Sequence, residues 1–129
     1  MTPKRSDRRP VIVTLGRPGA PEAGGVEALR ALGEVRLHAT TSPEAAAAAL
    51  RSERAALAVV ASGAPERWVD ELLAASPRVP LLALVEAGQA TPARWTQAGV
   101  ATLQVPASIL ALARIVTLLL EGRAVRAAP

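Results

Sequence analysis

Short apolar runs alternate with stretches of helical periodicity along most of the chain. The run Val11–Leu15 is almost wholly apolar and is bounded by Pro10 and Gly16, the pattern of a strand buried on both faces. A Gly/Pro-rich loop over residues 16–25 follows. Val26, Leu29 and Leu32 then recur at helical spacing, and Gly33 ends that helix. Over residues 34–39, Val35 and Leu37 alternate with Arg36 and His38, which predicts a half-exposed strand at or near a sheet edge. Ser42-Pro43-Glu44 opens a second helix: Ser can cap free amides, Pro fits the first turn and Glu complements the dipole. The alanines at 45–49 form helix well and offer little core volume.

The same alternation continues to the end. Residues 57–61 predict a third strand. A third helix, Glu66–Ala75, carries Trp68, Val69, Leu72 and Leu73, with Trp68 expected in the core or at its edge. Residues 80–85 predict a fourth strand. Thr91-Pro92 repeats the cap-plus-proline start for a short helix that stops at Gly99. Ala101–Val105 is the fifth strand and residues 109–121 the last helix. Five strands alternating with five helices predict a single α/β domain built on a doubly wound parallel sheet. Residues 1–9 read as a flexible basic tail, 10–121 as the domain and 122–129 as a tail or linker.

Composition narrows the chemistry. The 129 residues suffice for one domain with a sizeable core, and half of them are hydrophobic. There is no cysteine, which excludes disulfides and thiolate chemistry and fits a reducing, cytoplasmic setting. Residues 1–9 have no apolar stretch behind their charges and do not read as a secretory signal. The longest apolar run, 105–120, is interrupted by Arg114 and is shorter than the roughly 20 residues of a membrane span. The formal charge of +4 invites a nucleic-acid reading, but residues 10–120 hold nine arginines and nine acids. The excess lies in the tails, and the aromatic residues that would stack on bases number two.

The order and punctuation of these elements resemble the receiver domain of two-component response regulators over about residues 10–121. Gly33-Glu34-Val35 is similar to the family's lead into its second strand. Ala61-Ser62-Gly63-Ala64-Pro65 keeps a proline four residues after the family's phosphorylated position. Gln97-Ala98-Gly99 resembles the end of its fourth helix, and Val105-Pro106 stands where the family has Lys-Pro. The resemblance implies a flavodoxin-like (CheY-like) fold with strand order 2-1-3-4-5 and a functional crevice at the carboxyl ends of the strands. It also implies which positions would carry phosphotransfer, and none has the required chemistry. The two Mg²⁺-holding carboxylates are replaced by Thr14 and Leu15. The aspartate nucleophile is replaced by Ala61, the phosphoryl-sensing hydroxyl by Val85 and the pairing lysine by Val105. Mg²⁺ wants hard oxygen ligands, and an alanine cannot form an acyl phosphate. Neither Mg²⁺ nor a phosphoryl donor is therefore expected as a partner, and no cofactor, metal site or catalytic residue is assigned.

Two candidate surfaces remain. Gly16, Arg17, Ser62 and Glu86 fall near the strand ends, where a small ligand could bind in the vacated crevice; the loop lacks a phosphate-binding fingerprint, and each residue also suits a plain turn. His38 has no sequence-placed partner for catalysis or metal binding. On the last helix, Ile109, Leu112, Ala113, Val116, Leu119 and Leu120 form the stripe expected on the sheet. Ala111, Ile115 and Leu118 fall on a second face beside Arg114, with Trp95 expected to border the same patch. Exposed apolar strips of this kind mark partner surfaces. In receivers the last two helices and the last strand form the common dimerisation and output face. The expectation is a phosphorylation-independent interaction module, acting as a homodimer or on another protein through the last helix. The alternatives are a small-molecule sensor and, with less support, a DNA-binding regulator.

Overall fold

Three strands that are apolar but for Thr14 and a terminal Glu86 form the centre of the sheet, and their burial follows from that composition. In the computed structural model, which describes residues 9–16, 35–52, 54–76, 78–105 and 108–127, they are β1 (Val11–Leu15), β3 (Leu57–Val60) and β4 (Leu81–Glu86). β2 (Arg36–Thr40) and β5 (Ala101–Val105) are the edges. All pairings are parallel, in the order β2-β1-β3-β4-β5. The fold is thus the single flavodoxin-like α/β domain with the expected strand order. Edge β5 alternates, with Thr102 and Gln104 exposed while Ala101, Leu103 and Val105 are half-buried; β2 does not, since Arg36, Leu37 and His38 are all half-buried, Ala39 is exposed and Thr40 buried.

The period of two sorts the strand residues into two cores. Val11, Val13, Leu15, Ala58, Val60, Leu81, Ala83 and Val85 face one side with helices α1 (Pro43–Ser52), α2 (Glu66–Ala75) and Trp95 of α3 (Ala93–Ala98). Ile12, Leu57, Val59, Leu82 and Leu84 face the other, where Leu112 and Val116 of α4 (Ile109–Ala127) cover them. Trp68 is half-buried against the first core, as expected. The helix expected over residues 26–32 lies outside the described residues.

Several boundaries differ from expectation for local reasons. Two of the alanines of α1 are core residues, not filler: Ala46 and Ala49 are buried, letting the helix approach the sheet closely, while Ala45 and Ala48 are exposed. Ser42 does cap α1, its Oγ accepting the amide of Ala45 at 3.2 Å. Thr91 does not cap α3: Pro92, at φ −59° and ψ 136°, is the N-cap and no side chain bonds the free amides. The proline's extended backbone starts the helix one residue late, at Ala93. Gly99 ends it in the left-handed conformation, φ 83°, as expected of a glycine C-cap. Ser108 caps α4, accepting from the Ala111 amide at 3.0 Å. α4 runs on to Ala127, past its expected stop at Glu121. Gly122 opposes helix most there, at a cost of about 1 kcal/mol, and the other five residues are two arginines, two alanines and Val125.

Candidate functional site

In an open parallel sheet the natural binding place is the crevice at the carboxyl ends of the strands, where the strand order reverses. Here that point lies between β1 and β3. The chain ends of the strands are tied together by backbone. The Gly16 amide donates to the Thr40 carbonyl at 3.2 Å, and the Ala61 amide to the Leu15 carbonyl at 2.8 Å. The buried hydroxyl of Thr40 donates to the Thr14 carbonyl at 2.7 Å, so its burial leaves no unmet donor. At β4 and β5 the Ala87 amide donates to the Val105 carbonyl at 3.2 Å.

The side chains at these ends are apolar and mostly turned inward. Leu15 is 1 % exposed and Val85 5 %, both in the first core. Val105 is half-buried against the second core. Thr14 and Ala61 are half-buried. Gly16 meets Ala61 so closely that a Cβ on Gly16 would stand 2.5 Å from the Ala61 Cβ. Where the crevice would be deepest, backbone therefore lies against a methyl group. Of the residues expected to line it, Ser62 is half-buried, Glu86 is exposed at the end of β4, and Arg17 lies outside the described residues. Among the described residues no group of three or more His, Asp or Glu could hold a metal ion. His38 sits in the middle of β2, in register with Val13, and not at the strand ends.

The densest polar cluster lies elsewhere, joining α2 to α3. Arg94 donates from Nε to Asp70 Oδ1 at 3.0 Å and from Nη2 to Asp70 Oδ2 at 2.9 Å, and Nη2 also reaches Glu66 Oε1 at 3.1 Å. Trp95 Nε1 donates to Asp70 Oδ1 at 3.3 Å. The hydrogen bond from Arg94 holds the Asp70 carboxyl below its ordinary 3.8; partial burial opposes this, while the charge of Arg94 and the Trp95 N–H reinforce it. Hydrogen bonds to Asp70 and then Glu66 push the Arg94 guanidinium upward. Sequence reading missed this clasp because its partners are 24 to 28 residues apart and no local spacing announces them.

Trp95 also requires a correction. It was expected to border the exposed patch of the last helix, yet it is 5 % exposed and belongs to the core on the opposite face of the sheet. A short helix with one large apolar side chain turns that side chain inward, and Asp70 satisfies its indole N–H. On α4, Leu118 is exposed as expected, at 60 %, and Arg114 is exposed beside it. Ala111 and Ile115 are half-buried, and Ile115 packs on the second core rather than away from it. The residue not foreseen is Leu110, 78 % exposed one turn before Arg114.

The signal receiver domain of a candidate Luxo repressor protein from Vibrio parahaemolyticus superposes with a TM-score of 0.76 at 12 % identity, covering 92 % of this chain and 95 % of that one. A response regulator receiver domain protein (CheY-like) from Methanospirillum hungatei JF-1 gives 0.75 at 14 %, covering 92 % and 98 %. The signal receiver domain of a modulated diguanylate cyclase from Desulfovibrio desulfuricans G20 gives 0.74 at 19 %, covering 92 % and 98 %. The chain has the receiver fold. No protein-family model matches it, and no curated protein is significantly similar in sequence. Identity this low carries the fold alone. No helix among the described residues is long and apolar enough to cross a membrane.

Proposed function

We propose that the chain is a degenerate receiver, a protein-interaction module of bacterial signalling or cellular organisation that works without phosphorylation and is not an enzyme. One observation carries this reading. The five positions at which a receiver would bind Mg²⁺ and accept phosphate hold Thr14, Leu15, Ala61, Val85 and Val105, and two of them are built into the core. A carboxylate is needed both to ligate the metal and to attack the phosphoryl donor, and these positions supply none. Interaction is the remaining use of the fold, and the exposed leucines of α4 support it on that helix, at Leu118 with Arg114 and the flanking Ala111 and Ile115. Ligand sensing at the crevice has less support, because the methyl of Ala61 stands against Gly16 where a ligand would enter.

Incubation with acetyl phosphate and Mg²⁺, followed by intact-protein mass spectrometry, tests the reading. The expected result is an unchanged mass, with a phosphorylatable receiver treated in parallel as the positive control. A phosphoryl adduct on this chain that disappears without Mg²⁺ would overturn it.

A further inference from the structure

Along the folded domain the charges balance in number but not in place. The starts of the strands are tied by backbone. The Arg36 amide donates to the Pro10 carbonyl at 2.9 Å, the Ala56 amide to the Val11 carbonyl at 2.8 Å and the Ala58 amide to the Pro80 carbonyl at 3.0 Å. Arg36 opens β2, and Arg9, Arg54 and Arg78 stand two residues before Val11, Ala56 and Pro80 respectively. The strand order therefore sets Arg36, Arg9, Arg54 and Arg78 at adjacent strand starts. At about 4.8 Å from strand to strand, this row is about 14 Å long. Arg51 lies in the last turn of α1, which runs back from the end of β2 to the same side of the sheet.

Arg9, Arg51, Arg54 and Arg78 are exposed, and Arg36 is half-buried. Arg9 and Arg36 have partners within the protein, so the guanidinia best placed for a ligand are those of Arg51, Arg54 and Arg78. Arg54 has a φ of 52°, a left-handed conformation that residues other than glycine rarely adopt. A turn at this point is served best by glycine, and a large cation held there at a conformational cost points to a use for its charge. Glu44 and Glu66, in the first turns of α1 and α2, and Glu86, last in β4, lie at the opposite end of the sheet. α4 returns toward the strand starts, and its Glu121 sets one described carboxylate on the side of these guanidinia. Glu34 and Glu53, neighbours of the row in sequence, lie outside the described residues.

A line of guanidinia complements a linear polyanion. Duplex DNA carries one charge per about 1.7 Å of axis, so about eight charges lie along a row of this length. Guanidinium forks bind phosphate oxygens in pairs. Unpaired bases would need aromatic platforms, and here Trp95 is buried and Trp68 half-buried. A bilayer would favour apolar side chains among the cations, and the exposed large ones, Leu110 and Leu118, are on α4. The row is built from strand starts and not from a helix that could enter a groove, so it suits backbone and not base edges. We infer that the amino end of the sheet docks on the phosphate backbone of duplex DNA without regard to sequence, through Arg51, Arg54 and Arg78 with Arg9 and Arg36 beside them. This goes beyond the interaction role proposed above and does not depend on it.

Fluorescence anisotropy with two labelled duplexes of unrelated sequence tests it, on the full chain, between about 50 and about 200 mM NaCl. Wild type should bind both duplexes alike. Its log Kd should rise with log salt at a slope of about 3 to 4, as contacts to three or four phosphates require. Arg54→Glu with Arg78→Glu should weaken binding about tenfold or more at the lowest salt and lower the slope by about 2. Arg67→Glu with Arg114→Glu changes the net charge equally and leaves the row intact, so it should bind nearly as wild type does. All four residues are exposed, and circular dichroism checks that each variant is folded. Equal losses from the two pairs would reduce the effect to net charge and overturn the inference. So would absence of binding by wild type at about 0.1 mM protein in the lowest salt. Tighter binding to vesicles rich in anionic lipid, or to polyglutamate, at equal charge concentration would assign the row to another partner and overturn it too. Lys4→Gln, Arg5→Gln and Arg8→Gln together should keep the difference between the two pairs; if that triple substitution alone abolishes binding, the residues before β1 are the site and the row is not.

Discussion

At the residue scale, the contact between Gly16 and Ala61 fills the strand-end point between β1 and β3. The end of β1 and the end of β3 approach until the Gly16 Cα is against the Ala61 methyl, and the Ala61 amide is bonded to the Leu15 carbonyl. Gly16 does not have the positive φ that marks Gly63, Gly88 and Gly99, so its smallness serves space, not backbone conformation. A Cβ there would meet another Cβ on a hydrogen-bonded strand end, which cannot swing away like the tip of a long side chain. Gly16→Ala is therefore expected to destabilise by about 1–3 kcal/mol, the usual range for overpacking. Removing the opposing methyl should undo much of that loss. In denaturant unfolding, Gly16→Ala with Ala61→Gly should be more stable than the sum of the single effects predicts, a coupling expected only of residues in contact. Strict additivity of the two substitutions would mean that the strand ends have room to relax, and the crevice would regain its claim as a ligand site.

At the element scale, the clasp between α2 and α3 fixes a helix too short to hold itself. α3 has six residues and no side-chain cap, and it is anchored by Trp95 in the core and by Arg94 on Asp70 and Glu66. Asp70 is the hub, because it accepts from both Arg94 and Trp95. Its folded-state pKa is below the ordinary 3.8, so its charge contributes stability that is complete above that value and is lost as pH falls through the lower folded one. Asp70→Asn keeps the shape and one acceptor for Trp95 but removes the charge. It should melt lower than wild type at neutral pH, and thermal melts in a pH series should show the gap closing only below about 3.8. A gap that persists unchanged into strong acid would assign the loss to packing. The contact is half-exposed, so the gap should be small. This clasp also marks where sequence reading stops. The central strands were legible because buried parallel strands are apolar at nearly every position, and α2 because its periodicity is clean. Trp95 was misplaced because a six-residue helix has too few turns for periodicity to tell its inner from its outer face. Leu110 was overlooked because a helix apolar on nearly all sides gives no contrast by which to pick the exposed line. The Arg94–Asp70 pairing depends on how two helices lie on one sheet face, which no local spacing encodes.

At the scale of the whole molecule, charge and fold together decide what a divalent cation can do. The body from residue 10 to residue 120 is electrically balanced, with nine arginines against nine acids, and the net +4 resides in the ends. Non-specific attraction of Mg²⁺ to such a body is weak, so a response to Mg²⁺ would need a built site. On the proposed reading the positions that would hold one are Thr14, Leu15 and Ala61, none of them a carboxylate, and the acid nearest the strand ends among the described residues, Glu86, is exposed on β4. Linkage turns this into a measurable contrast. A ligand present at ten times its dissociation constant stabilises the folded state by about 1.4 kcal/mol. For a domain of this size that corresponds to a rise in Tm of roughly 3–6 °C. Thermal melts of this chain in MgCl₂ should instead coincide with melts in NaCl of equal ionic strength, up to cation concentrations that raise the Tm of an intact receiver measured alongside. A Mg²⁺-specific rise would locate a carboxylate site that the strand ends do not contain, and Glu86→Gln would then show whether that residue forms it.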